Sequence, residues 1–264
     1  ERFNIKSELL VGSLTKKQKE KVLEKVKNQE VNILIGTHAL IEDKVEFKNL
    51  GIVITDEQHR FGVRQRGRLS NKGDSPDILV MTATPIPRTL ALILYGDLDI
   101  SIIDELPPGR QPIETIAIEH KRRNEAYENL VRSEVQKGRQ VYVVCPLVEE
   151  SEKIEATAAS ELVEELKREF FSDLRVGLLH GKMRPAEKDA IMDDFKNKKL
   201  DILVSTTVIE VGVNVPNATL MIIENAERFG LAQLHQLRGR VGRGNHKSYC
   251  ILKCEGKSET TKKR

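Results

Sequence analysis

Short runs of β-branched and aliphatic residues recur along the chain, at Asn32 to Ile35, Gly51 to Ile54, Ile78 to Met81, Gln140 to Cys145, Arg175 to Leu179, Ile202 to Val204, Leu220 to Ile223 and Ser248 to Leu252. Each is apolar throughout rather than alternating, the pattern of a strand buried on both faces of a parallel sheet. Many of the gaps between them carry apolar residues three and four apart. Thr15 with Gln18 forms a capping-box pattern that opens a basic helix carrying Val22, Leu23 and Val26 on one side. Ala126, Tyr127, Leu130, Val131 and Val135 keep the same spacing up to Gly138, which suits a helix end. Leu162, Val163, Leu166 and Phe170 predict another helix, and Pro185 starts the one that carries Ile191 and Phe195. Strands alternating with helices predict an α/β fold.

The alternation breaks at Glu105-Leu106-Pro107-Pro108-Gly109-Arg110-Gln111-Pro112, where three prolines and a glycine in eight residues continue neither a central strand nor a helix. A linker over 106–118 therefore divides the chain into domains at 1–105 and 119–256, with a tail at 257–264. The 264 residues suit two cores. Charge interrupts every apolar run well short of the roughly 20 residues a membrane-spanning helix needs, so no membrane partner is expected. Three cysteines, Cys145, Cys250 and Cys254, do not make a secreted disulfide framework and point to a reducing cytoplasm. Zinc binding by Cys250 and Cys254 lacks the further ligands of a tetrahedral set, and core thiols are the better reading. The 43 basic and 40 acidic residues nearly cancel, so any polyanion partner must be argued from local sites. With no initiator Met before Glu1-Arg2-Phe3, the chain reads as a piece of something longer.

Three strands deliver a hydroxyl at their carboxyl ends, at Thr37, Thr82 and Thr206, the edge where open α/β sheets bind ligands. Threonine also simply ends strands well. The strand ending at Thr55 runs into Asp56-Glu57-Gln58-His59. An Asp there can hold Mg²⁺, and the adjacent Glu can orient or deprotonate a water; as a lone pair they equally suit a solvated strand end, as Asp104-Glu105 does. In the second half, Arg238-Gly239-Arg240-Val241-Gly242-Arg243-Gly244 sets three arginines among three glycines. The glycines allow close backbone approach and the guanidinium groups fork onto phosphate oxygens, although a basic RNA-binding loop has the same composition. Ser205 to Pro216 offers hydroxyls and amides after a strand, or a plain glycine turn.

Asp56 to His59, Thr82-Ala83-Thr84-Pro85, the threonine-rich stretch after Asp201, and Gln236 to Arg243 stand in the order of motifs II, III, V and VI of the superfamily 2 helicases. Residues 56–63, 82–89, 105–110 and 227–243 more narrowly resemble the RecG family of bacterial branched-DNA helicases, and the likeness covers nearly the whole chain. It implies two RecA-like parallel-sheet lobes, the first truncated at its N-terminus and carrying motifs Ic, II and III, the second carrying motifs IV, V and VI. The implied activity is ATP-dependent helicase or translocase action on branched double-stranded DNA such as stalled forks and Holliday junctions, in recombination and repair. ATP and Mg²⁺ are the implied cofactors, and a single-stranded-DNA-binding protein a further partner. By motif match, Asp56 resembles the Mg²⁺-organising acid and Glu57 the water activator. Gln58, His59, Thr82 and Thr84 resemble couplers of nucleotide state to DNA grip. Thr37, His38, Thr206 and Thr207 resemble holders of the DNA backbone. Glu210, Gly212 and Asn214 fall where motif V lines the nucleotide, and Gln236, Arg240 and Arg243 resemble motif VI, its two arginines reaching the γ-phosphate. A nucleotide cleft between the lobes is implied.

The chain departs from the family in two places. Thr55 stands where an apolar residue is usual. No glycine-rich loop ends in Gly-Lys-Ser or Gly-Lys-Thr in the manner that cradles phosphates: Gly181-Lys182 runs into Met183, and Gly256-Lys257-Ser258 has Ile251 at the first glycine position. The expected fragment therefore lacks the phosphate loop and the wedge domain, and hydrolyses ATP poorly alone. Alternatives are a transcription-repair coupling translocase, which shares the Phe-Gly-Val and Pro-Ile-Pro-Arg neighbourhoods, and a catalytically silent nucleic-acid-binding module. Phe61 and Phe229 are expected to be packing residues.

Overall fold

A computed structural model describes residues 5–56, 72–82, 99–107, 109–119, 123–146, 152–206 and 215–254. The chain forms two compact units, Glu1–Pro87 and Arg88–Arg264.

In the first unit, β1 (Ser7–Leu10) pairs in parallel with β2 (Ile33–Gly36) across α1 (Lys16–Lys27), and β3 (Ile52–Thr55) pairs in parallel with β4 (Asp77–Val80). The predicted capping box on α1 is present: the Gln18 side chain accepts from the Thr15 amide at 2.9 Å, and the Gln18 amide donates to Thr15 Oγ1 at 3.4 Å. Val22 and Val26, one turn apart on the helix, pack with Leu10 and Val45 into a small core. Among the described residues, these strands are not buried on both faces as the apolar runs predict. Ile33, Ile35, Ile52 and Ile54 all remain exposed.

The second unit holds a six-stranded, all-parallel sheet in the order β5-β10-β9-β6-β8-β7. Its strands are β5 (Ile113–Glu119), β6 (Gln140–Val144), β7 (Val176–Leu179), β8 (Ile202–Ser205), β9 (Ala218–Ile223) and β10 (Ser248–Cys254). The helix over residues 123–136 (α2) contains a π-type stretch at Ala126–Val131 and ends before Gly138, which has φ +72°. The others are α3 (Glu152–Glu169), α4 (Pro185–Lys196) and α5 (Leu231–Arg238). β6, β8 and β9 are buried at every position. Two cores flank the sheet, one with Tyr142, Phe195, Met221 and Val241, the other with Tyr127, Leu166, Phe171 and Ile222.

The expected linker is irregular only in its first part. From Ile113 the chain is already β5, paired residue for residue with β10. Half-buried Ile116 and Ile118 alternate with exposed Thr115, Ala117 and Glu119, as in an edge strand, the position at which a nearby proline is tolerated. Ahead of the linker, Asp104-Glu105 does not end a strand: the described residues from 99 to 107 form none, and Ile103 is 94% exposed.

Candidate functional site

The arginine run of the second unit sits on the end of α5. Gly230 caps the helix in extended conformation, its amide donating to Gln233 Oε1 at 3.1 Å, and Phe229 and Leu237 bury the helix on the sheet. Beyond Arg238 the chain tightens: Gly239 donates to His235 O at 3.1 Å and Arg240 to Leu237 O at 2.9 Å. Val241 is then fully buried, so Arg240 and Arg243 stand either side of a fixed point. Gly242 takes φ +70°, and a Cβ there would lie 2.8 Å from Ile113 Cγ1 at the start of β5. Only glycine satisfies both demands without displacement. Arg243 folds back over this turn, its Nε donating to Gly239 O at 3.0 Å.

Two further arginines act on Arg243 electrostatically. Arg243 is held below the usual arginine range first by partial burial of its guanidinium and then by the like charges of Arg240 and Arg110, with Tyr142 opposing. Burial pushes the Tyr142 phenol up to about 12, against the pull of Arg240 and Arg243. Guanidinium groups gathered on a glycine-shaped turn can receive an oxyanion, which accepts from several donors at once. Gln236 lies half-buried on α5, one turn ahead of Arg240. His235 is held below its ordinary range by burial and by Arg238, whose Nη2 lies 3.1 Å from His235 Nδ1.

At the carboxyl edge of β3 in the first unit, Thr55 is buried and Asp56 is exposed. The register Thr55 to Val80 sets Asp56 beside the end of β4, where Thr82 is also exposed. Thr37 and His38 are exposed where β2 gives way to a 3₁₀ turn at His38–Ile41. Thr206 is different. It follows β8 but is 1% exposed, and its Oγ1 has no hydrogen-bond partner among the described residues. Thr206, which the family resemblance sets among holders of the DNA backbone, is thus buried in this conformation. Glu57, Gln58, His59, Thr84, Thr207, Glu210, Gly212, Asn214 and Phe61 lie outside the described residues. Phe229 is a packing residue, 3% exposed in the core.

Two features were missed by sequence reasoning. Arg110, read as linker, donates through Nε to Gly242 O at 3.0 Å. The second is a buried polar cluster at the carboxyl edge of the sheet: Glu224, just after β9, accepts from Tyr127 and pairs with Lys253 of β10. A lysine inside the apolar run Tyr249 to Cys254 was a usable signal for it. Cys145 borders this cluster, its thiol pushed up to about 12 by burial and then by Glu224.

The chain matches the helicase conserved C-terminal domain family over residues 122–245 and the DEAD/DEAH box helicase family over residues 1–93. It is 57% identical to an ATP-dependent DNA helicase RecG of Streptococcus pneumoniae, over 99% of this chain and 39% of that protein. It is 55% identical to the protein of the same name from Thermotoga maritima, over 95% of this chain and 32% of that protein. A solved structure of RecG bound to a three-way DNA junction aligns with a TM-score of 0.73 at 50% identity, over 99% of this chain and 34% of that one. The Mycobacterium smegmatis helicase Lhr, at 19% identity, aligns with a TM-score of 0.65 over 96% of this chain and 35% of its own, and shares the fold. The chain thus spans about a third of the length of the curated relatives it matches.

Proposed function

The chain belongs to the RecG family of helicases, and on that premise we propose that it serves an ATP-dependent DNA helicase or translocase that remodels branched DNA, forks and Holliday junctions among them, in recombination and repair. The observation that carries this reading is the turn holding Arg240 and Arg243, rigid at Val241 and Gly242 and crowded with like charge. A scaffold that merely holds nucleic acid has no need of paired guanidiniums fixed in this way. A motor that hydrolyses a triphosphate does, because negative charge spreads over the γ-phosphoryl oxygens in the transition state.

In this reading the second unit contributes the γ-phosphate arginines, with Gln236 beside them and Glu210, Gly212 and Asn214 lining the nucleotide. The first unit contributes Asp56, Glu57 and the couplers Gln58, His59, Thr82 and Thr84. Mg²⁺ binds through one or two carboxylates and otherwise through waters and substrate phosphates. Asp56, an exposed hard-oxygen donor at a strand's carboxyl edge, fits that demand. The ion would neutralise developing phosphate charge, while Glu57 orients the attacking water. DNA is gripped by its phosphates, to which Thr37 and His38 offer an exposed hydroxyl and imidazole. Binding of this kind follows duplex shape and weakens with salt.

The test is a chimera in which this chain replaces the matching segment of the Thermotoga maritima relative. ATP hydrolysis stimulated by a three-way junction, with unwinding of that junction, is expected. Displacement of a stalled RNA polymerase without any response to forks would make it a coupling translocase instead, and DNA binding without turnover would make it a silent module.

A further inference from the structure

We propose that the lysines opening α1, Lys16, Lys17, Lys19 and Lys21, form a contact surface for the phosphate backbone of duplex DNA, continuous with the strand edge that carries Thr37 and His38. This rests on the reading that DNA is held by its phosphates at that edge, and extends the grip.

The connection from β1 through α1 to β2 brings the two features together. β1 and β2 run parallel, from Ser7 opposite Ile33 to Leu10 opposite Gly36, so the residues that follow, Val11 and Thr37, leave the sheet at the same edge. Gly36 has no room for a Cβ, which would strike Leu10 O, and this close approach fixes the two strand ends against each other. From Val11 the chain turns, the Leu14 amide donating to Val11 O at 3.3 Å, and α1 begins at Lys16. The first turn of α1 therefore starts at the edge where Thr37 and His38 are exposed. Lys16, Lys17 and Lys21 are exposed there too, and Lys19 is half-buried.

The helix breaks the rules of local stability at this end and obeys them at the other. Its first turn holds no acid, although the helix dipole favours negative charge there, and Lys17 and Lys21 set like charges one turn apart. Glu20 is the one acid among residues 16–21. In the last turn, where the dipole favours cations, Lys25 pairs with Glu8 of β1 and Lys27 with Glu46 at 2.8 Å. Those two lysines tie α1 to its own unit, whereas the four at the strand edge add positive charge where the helix gains nothing from it. Local choices that cost stability together are expected of a functional surface. The capping box already occupies the Gln18 amide, so the attraction lies in the ammonium groups. Lys16 to Lys21 span about 7.5 Å of helix axis, about two phosphate steps of one DNA strand at roughly 3.4 Å each. Contacts of this kind position a duplex without reading its sequence.

The experiment measures binding of this chain to a fluorescent three-way DNA junction by anisotropy across a salt series, alongside thermal melts. The double variant Lys17→Gln with Lys21→Gln is expected to bind about tenfold or more weakly, with a plot of log affinity against log salt shallower by about 1 to 2 units, the loss of one or two phosphate contacts. Its melting temperature is expected to hold or rise, because a like-charge pair has gone and glutamine suits a helix. Lys17→Arg with Lys21→Arg is expected to keep both affinity and slope. Lys167→Gln with Arg168→Gln, an equal loss of charge on α3, is expected to change neither. Undiminished affinity and slope in the glutamine variant overturn the inference, and loss in His38→Ala within the same series leaves the strand-edge reading standing. A lowered melting temperature beside the lost affinity would make the lysines structural and overturns it. Equal loss in the α3 variant reduces the effect to general charge and overturns it. An unsubstituted chain that binds no junction overturns both.

Discussion

Lys253 sets its ammonium on the Glu224 carboxylate inside the second unit, with the two side chains 3% and 8% exposed. Tyr127 donates to the same carboxylate, so α2, β10 and the end of β9 meet at one acid. Breaking a buried pair by removing one partner costs about 3–5 kcal/mol, because the other charge is left uncompensated. Lys253→Met and Glu224→Gln should therefore each lower the urea midpoint of the second unit strongly. The double variant should recover part of that loss, and a simple sum of the two single effects would refute the coupling.

The arginine turn makes a kinetic prediction. In the Thermotoga maritima chimera, Arg243→Ala or Arg240→Ala should lower junction-stimulated ATP turnover by about 10³ to 10⁵, the range of an arginine finger in phosphoryl transfer. Junction affinity should remain within a few-fold, as read by fluorescence anisotropy. A parallel collapse of both would assign these arginines to DNA.

Gly242→Ala tests the turn itself. Its φ of +70° and the 2.8 Å approach to Ile113 both oppose a Cβ, so the expected outcome is a lower melting temperature together with weaker tripolyphosphate binding. Unchanged values in both measurements would show that the turn tolerates rearrangement.

Glu134 predicts an acid limb. Burial raises its pKa, but hydrogen bonds from Thr219, from Lys137 at 2.9 Å and from Arg139 at 3.1 Å outweigh burial and hold it below the ordinary value of 4.5. The carboxylate is thus more acidic folded than unfolded. Its contribution is full above about pH 4.5 and disappears as pH falls through the lower folded value. Urea melts from pH 6 downward should show a shallower acid loss in Glu134→Gln than in the parent, starting from a lower plateau.

The thiols make a simple chemical test. Cys145 and Cys250 are buried, with pKa values pushed up to about 12 chiefly by burial, so neither should take up iodoacetamide at neutral pH until the protein unfolds. Cys254 is only half-buried and should label first. Early labelling of Cys145, read by peptide mass spectrometry, would contradict the packing.

The central strands of the second unit were legible in sequence because they are buried on both faces. Val141 to Val144 and Leu220 to Ile223 admit few readings once they run uninterrupted between helical patterns. Ser7–Leu10 escaped because Glu8 breaks the apolar run, and β5 escaped because the nearby prolines argued louder than the short alternation around Ile116 and Ile118. In the candidate site, composition pointed to Arg240 and Arg243, since no core needs three arginines spaced by glycines. It did not point to Arg110. A long-range bond such as that from Arg110 to Gly242 leaves no periodicity to find. Nor does a threonine at a strand end disclose that the chain will enclose it, as happens at Thr206.

The edge pairing of β5 with β10 has a mechanical meaning. The two strands run parallel in seven-residue register, from Ser248 opposite Ile113 to Cys254 opposite Glu119. Tension drawn between the residues ahead of β5 and those after β10 would load the whole ladder in shear, every rung sharing the strain, instead of peeling it open one bond at a time. Among the described ladders of the second unit this is the longest, so load applied there is spread over the most rungs.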